Sequence, residues 1–133
     1  MTKELFLQHW ALLVAGAMAA ALSAFVAWRA WRDSAGGRLW AAHRDYGRRC
    51  RERSSRRRQA DACTARFTAL KERAADVSPR RVEAASEDLE DARALLRIAE
   101  DQVLVAAARL REIIVEEYPP RRHEALRRRY LAE

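Results

Sequence analysis

From Leu5 to Trp28 the chain carries 24 residues without a formal charge, LFLQHWALLVAGAMAAALSAFVAW. At ~1.5 Å per residue such a helix is ~36 Å long, enough to cross a hydrocarbon layer of ~30 Å with some tilt. Trp10 stands near one end and Trp28 and Trp31 near the other, the spacing of two interfacial aromatic belts. Beyond Trp28 the pattern changes from continuous to periodic. Read in heptads from Val82, the a positions are Val82, Leu89, Leu96, Val103 and Leu110, and the d positions are Ala85, Ala92, Ala99, Ala106 and Ile113. Five heptads run without a polar interruption, with a large residue at a and alanine at nearly every d. Upstream, Ala60, Cys63, Phe67, Leu70, Ala74 and Val77 repeat the same three-and-four spacing. No segment alternates with the period of two that a half-buried strand requires.

Punctuation divides this pattern into elements. Ser34-Ala35-Gly36-Gly37 reads as a flexible break, Ser78-Pro79 as an N-cap with proline at the first helical position, and Pro119-Pro120 as a stop. The expected fold is all-α: a single N-terminal transmembrane helix, then a cytoplasmic antiparallel coiled-coil helical hairpin and a short C-terminal helix. The expected boundaries are a short extracytoplasmic N-terminus at 1–4, the span at 5–28 and a basic juxtamembrane linker at 29–37. The hairpin occupies 38–118, with helices at about 38–76 and 79–118, and a basic amphipathic helix fills 119–133. A turn at Asp76–Pro79 sets Val77 near Val82, Leu70 near Leu89, Phe67 near Ala92 and Cys63 near Leu96. A parallel homodimer through the Val82–Ile113 seam is the rival arrangement.

Charge adds a direction. The net charge is +7, yet residues 29–58 alone hold eleven arginines against Asp33, Asp45 and Glu52, a local +8. The positive-inside rule then puts the N-terminus outside and the helical module in the cytoplasm. By analogy with small bacterial envelope proteins the expected site is the bacterial inner membrane. A cleaved signal peptide, imitated by the small residues at Ala17–Ala21, is disfavoured. The start MTKE is uncharged overall, and the positive charge follows the apolar run. Anionic lipid headgroups are the expected ligands of Arg29, Arg32, Arg48, Arg49, Arg121, Arg122, Arg127, Arg128 and Arg129. In the last helix Leu126, Tyr130 and Leu131 would form the apolar side of an interfacial helix. Nucleic acid is disfavoured, because Gly47–Arg58 contains no aromatic for stacking and the far end of the hairpin is acidic.

Two features point to protein partners. Gly16, Ala20 and Ala24 form a small-residue ladder on one face of the span, a device for close transmembrane helix packing that alanine-rich sequences also produce by chance. Residues 103–115 are apolar on several sides, so Val103, Leu104, Val105, Ala107, Ala108, Ile114 and Val115 are candidate partner-binding residues. The alternative is that the last helix folds back over them. One conflict stands out: the upstream seam, extended towards the span, passes through Arg56, Arg53 and Arg49 before Tyr46, Ala42 and Leu39, and unpaired arginines cannot be buried.

Catalytic chemistry finds no foothold. There is no glycine-rich phosphate loop and no paired-histidine motif; His9, His43 and His123 are scattered. Cys50 and Cys63 lie thirteen residues apart, ~20 Å on one helix, too far for a disulfide. No cofactor, metal or small-molecule substrate is expected, although His9 leaves ligation of a tetrapyrrole metal open. The expected function is a non-enzymatic accessory, assembly or scaffold subunit of an inner-membrane complex, docking through helix–helix contacts. The alternative is a self-associating adaptor recruiting a cytosolic partner. Below these stand a membrane-tethered nucleic-acid binder and an envelope-spanning phage-type protein.

Overall fold

The computed structural model describes residues 3–73 and 75–131, with side chains from His9 onward. Ala74 of the upstream seam, the first two residues of the 1–4 segment and the last two of 119–133 lie outside the described residues. Among the described residues there are four helices and no strand: α1 Lys3–Arg32, α2 Ala35–Glu72, α3 Pro79–Glu117 and α4 Pro120–Leu131. The chain divides into two units, one up to Arg38 and one from Leu39.

In the first unit, α1 is one helix long and apolar enough to cross a membrane, over His9–Arg32. Its described side chains are all exposed, among them Leu12, Leu13, Met18, Leu22, Phe25 and Val26. Ser23, polar within this stretch, donates its hydroxyl to the Ala19 carbonyl at 2.9 Å and so leaves no open donor. Where a flexible four-residue break was expected, only Asp33 and Ser34 leave the helical state. Ser34 explains why: its Oγ accepts the Gly37 amide at 3.2 Å, and its carbonyl accepts the Arg38 amide at 3.0 Å. That is an N-cap for α2. Gly37 is buried, and a Cβ there would collide with the carbonyl oxygens of Trp31 and Arg32. The glycine serves close approach at a structured corner.

In the second unit, α3 supplies the spine. Its buried residues are Ala85, Leu89, Ala92, Ala99, Val103, Ala106, Ala107, Leu110 and Ile114. All but Ala107 and Ile114 are heptad a or d positions. Real α-helices turn at 3.6 residues, so a heptad stripe drifts ~20° per repeat. By the fifth repeat the drift has moved the contact from Ile113, half-buried, to Ile114, fully buried. From the part of α2 in this unit the buried residues are Leu39, Ala42, Tyr46 and Ala60. The first three join Val103, Ala106, Ala107, Leu110 and Ile114 in one core cluster, against which Leu126, Tyr130 and Leu131 of α4 also pack.

Contacts between α2 and α3 pair falling numbers with rising ones, Arg66 with Asp88 at 3.5 Å and Arg49 with Gln102 at 2.6 Å. The expected register, Phe67 beside Ala92 and Cys63 beside Leu96, is displaced from these by about one helical turn or more. α2 ends at Glu72, not Asp76, so residues 73–78 are spent in the connection. Ser78 precedes α3 in extended conformation without a side-chain cap bond, and proline occupies the first turn. Tyr118 and Pro119 separate α3 from α4, which begins at Pro120, and His123 Nε2 lies 2.6 Å from the Tyr118 carbonyl.

Three substitutions test these contacts. Gly37→Ala should destabilise the α1–α2 corner by about 2 kcal/mol and speed tryptic cleavage after Arg32 and Arg38 several-fold. Gly36→Ala, whose Cβ meets only Ser34 Oγ at 3.9 Å, should leave cleavage unchanged. Leu110→Ala, at a site with no exposed surface, should cost about 3 kcal/mol in denaturant unfolding of the full chain.

Candidate interaction surfaces

The arginine-rich stretch of α2 is sorted by helical register. Arg49, Arg53 and Arg56 fall on the side facing α3 and are half-buried. None is left buried without a partner. Arg49 donates to Gln102 Oε1 at 2.6 Å, with Glu52 at 3.6 Å and Asp45 at 3.8 Å also around its guanidinium. Arg56 donates to Gln59 Oε1 at 3.3 Å. The long aliphatic stems lie along the seam while the charged heads reach polar groups at its edge. The expected conflict between seam and charge is resolved this way. It also removes Arg49 from the proposed headgroup set, because its guanidinium is already committed to α3.

The other headgroup candidates stay exposed. Arg29 and Arg32 end α1, with the Arg32 guanidinium 5.4 Å from the Trp28 ring. Arg48 extends outward and bonds Asp45 at 2.6 Å. On α4, Arg121, Arg122 and Arg127 are exposed; Arg128 pairs with Glu124 at 3.0 Å and Arg129 lies over the Tyr130 ring at 5.5 Å. Leu126, Tyr130 and Leu131 do not form a lipid-facing side as expected. They pack, half-buried, against the core cluster.

The partner-binding candidates divide in two. Val103, Ala107 and Ile114 are core residues of this chain, covered by α2 and α4, and are withdrawn as docking residues. Leu104, Val105, Ala108 and Val115 remain exposed, at 66, 70 and 51 % for the three large ones, and Ile98 joins them at 53 %. Two grooves flank this outer face. One, about 300 Å³, runs past Asp45, Arg49, Ile98 and Val105; the other, about 560 Å³, past Arg53, Leu104, Arg111 and Leu131. In the span, Gly16 has open space around it, and Ala20 and Ala24 are exposed.

Sequence reasoning missed two groups. His43 meets Tyr130 edge-on with ring centroids 5.0 Å apart, and its buried Nδ1 has no hydrogen bond among the described residues. Its place between Ala42 and Tyr46 was the available signal. Trp40, Arg44, Arg48 and Arg51 line a groove of about 430 Å³ on α2, a grouping that counting arginines cannot reveal. Cys50 and Cys63 are free and half-buried on one continuous helix. Among the described residues no group of His, Cys, Asp or Glu is placed to hold a metal, and His9 is exposed on α1. Comparison with protein-family models, curated proteins and solved structures gave no match in any of the three.

The Arg49–Gln102 bond makes a quantitative prediction. A double-mutant cycle with Arg49→Met and Gln102→Leu should return a coupling of about 1–2 kcal/mol, the range for a charged hydrogen bond at a partly buried site. Arg44→Gln, on the outward face, should change stability by under about 0.5 kcal/mol.

Proposed function

We propose that the chain is a non-enzymatic, single-pass membrane scaffold or accessory subunit of a bacterial inner-membrane complex. In this reading α1 crosses the bilayer with its N-terminus outside. α2 and α3 form an antiparallel coiled-coil hairpin in the cytoplasm, α4 straps the end of the hairpin away from the 73–78 connection, and the outer face of α3 docks another helix. The anchor is supported by the exposed apolar length of α1. A water-facing surface of that extent far exceeds the few hundred Å² a soluble protein tolerates. The orientation is supported by the arginines that follow the span.

One observation carries the docking role: Ile98, Leu104, Val105 and Val115 stay exposed while Val103, Ala106, Ala107, Leu110 and Ile114 of the same helix are buried in the core cluster. Full burial of such a side chain contributes roughly 1.5–3 kcal/mol. Each is between half and three-quarters exposed, so the four together offer roughly 5 kcal/mol. Association from dilute solution costs an estimated 4–15 kcal/mol, so this face alone would bind weakly. Confinement in a membrane supplies the effective concentration that the face lacks. A tethered scaffold fits that arithmetic better than a soluble binder does.

A photo-crosslinking residue placed at Val105 or Leu104 in intact cells should give one or a few discrete adducts, while one at Arg93 should give none. Adducts at twice the chain's 15.3 kDa would assign the face to a second copy, as in the adaptor alternative. Equal labelling from all three positions would overturn the docking role. A C-terminal reporter fusion active only in the periplasm would overturn the orientation.

A further inference from the structure

We infer that Trp40, Arg44, Arg48 and Arg51 on the outward face of α2 form a binding site for the phosphate of an anionic bilayer lipid. The residues lie at spacings of four, four and three along α2, which places them on one side of a helix. They line one groove of about 430 Å³ together with Ala41 and Asp45. Arg49, one position from Arg48, turns to Gln102 instead, so the same short segment sends one guanidinium to the seam and keeps three outward.

The site is shaped, not merely charged. Asp45 holds Arg48 at 2.6 Å, and the Arg48 side chain nevertheless remains 66 % exposed. The carboxylate therefore orients that guanidinium without covering it. Arg44 stacks its guanidinium 5.4 Å from the Trp40 ring centre, and Trp40 is 49 % exposed. A half-exposed indole beside planar guanidiniums suits the bilayer interface, where the ring sits among headgroups and the forks meet phosphate oxygens bidentately. Nucleic acid is the less favoured occupant, because Arg44 already occupies the indole and no second aromatic lines the groove for base stacking. Position along the chain agrees: Trp40 lies eight positions after Arg32, at most ~28 Å even if fully extended. The inference rests on the reading of α1 as an anchor.

The test uses the full chain reconstituted in nanodiscs of phosphatidylcholine with or without phosphatidylglycerol, with retained lipid counted by native mass spectrometry after gentle detergent release. Wild type should retain phosphatidylglycerol over phosphatidylcholine. The combined variant Arg44→Gln, Arg48→Gln, Arg51→Gln should lower that retention at least tenfold, given roughly fivefold per arginine. The combined control Arg80→Gln, Arg81→Gln, Arg93→Gln should retain as much as wild type, and circular dichroism should show equal helix in all three proteins. No lipid preference in wild type, which needs no variant to fold, would overturn the site. So would unchanged retention in the outward-face variant, or displacement of the lipid by inorganic phosphate or duplex RNA at equal phosphate concentration. Carbonate extraction separates the two readings: release from membranes sinks the anchor itself, whereas an integral chain without lipid preference sinks only the site.

Discussion

A guanidinium cannot be left in an apolar seam, and the helical module is arranged around that constraint. The buried seam of α3 is leucine, valine, isoleucine and alanine, and it needs an apolar mate along its whole length. α2 offers Leu39, Ala42 and Tyr46 near one end and Ala60 further on, with Arg49, Arg53 and Arg56 between them. Desolvating even one unpaired arginine would cost several kcal/mol, more than an alanine contact returns. The core cluster therefore forms where α2 is apolar, at Leu39, Ala42 and Tyr46. Where it is not, the arginine heads exit at the edge, Arg49 onto Gln102. Gln102 lies one residue before the a position Val103, at the margin of the stripe, where a polar acceptor can reach the seam without interrupting it.

Legibility in the sequence followed the strength of the period. Most of the α3 stripe was readable: Ala85, Leu89, Ala92, Ala99, Val103, Ala106 and Leu110 are buried where the heptads place them, whereas Val82, Leu96 and Ile113 are only half-buried and Ala107 and Ile114 are buried off the repeat. The α2 face was readable only in part. Its spacing identified Ala60 and Tyr46, but register depends on where a helix stops, and the end at Glu72 has no proline or glycine to announce it. The corner at Ser34–Gly37 was misjudged for a related reason. Two adjacent glycines ordinarily signal freedom, and only the backbone placed against Gly37 shows that absence of a side chain was the requirement.

The surfaces were less legible than the fold. Apolar residues on every side of 103–115 say that more than one neighbour is needed, not which side each neighbour takes. That was decided by α4, whose Leu126, Tyr130 and Leu131 reach the core cluster and leave Leu104 and Val105 outside. The arginines posed the same problem. By charge count the seven between Gly47 and Arg58 are equivalent; by register they separate into half-buried seam residues, Arg49, Arg53 and Arg56, and exposed outward ones, Arg48 and Arg51 among them. Trp40 and Arg44, which lie before that stretch, complete the outward set.

Stability within the module is expected to be graded along its length, and the gradient bears on where docking can occur. Towards the 73–78 connection the buried contacts are alanines and one leucine, Ala60 with Ala85, Leu89 and Ala92, and alanine removes little apolar area from water. Near α4 the core gathers Leu39, Tyr46, Val103, Leu110 and Ile114, backed by three α4 side chains. Local opening therefore begins at the connection and reaches the α4 end last. The exposed residues Leu104, Val105 and Val115 stand on the strongly held part of α3. A docking face on a segment that opens easily would lose part of its small binding energy to ordering that segment. Set over the core cluster, these three apolar side chains would spend nearly all of it on a docked partner.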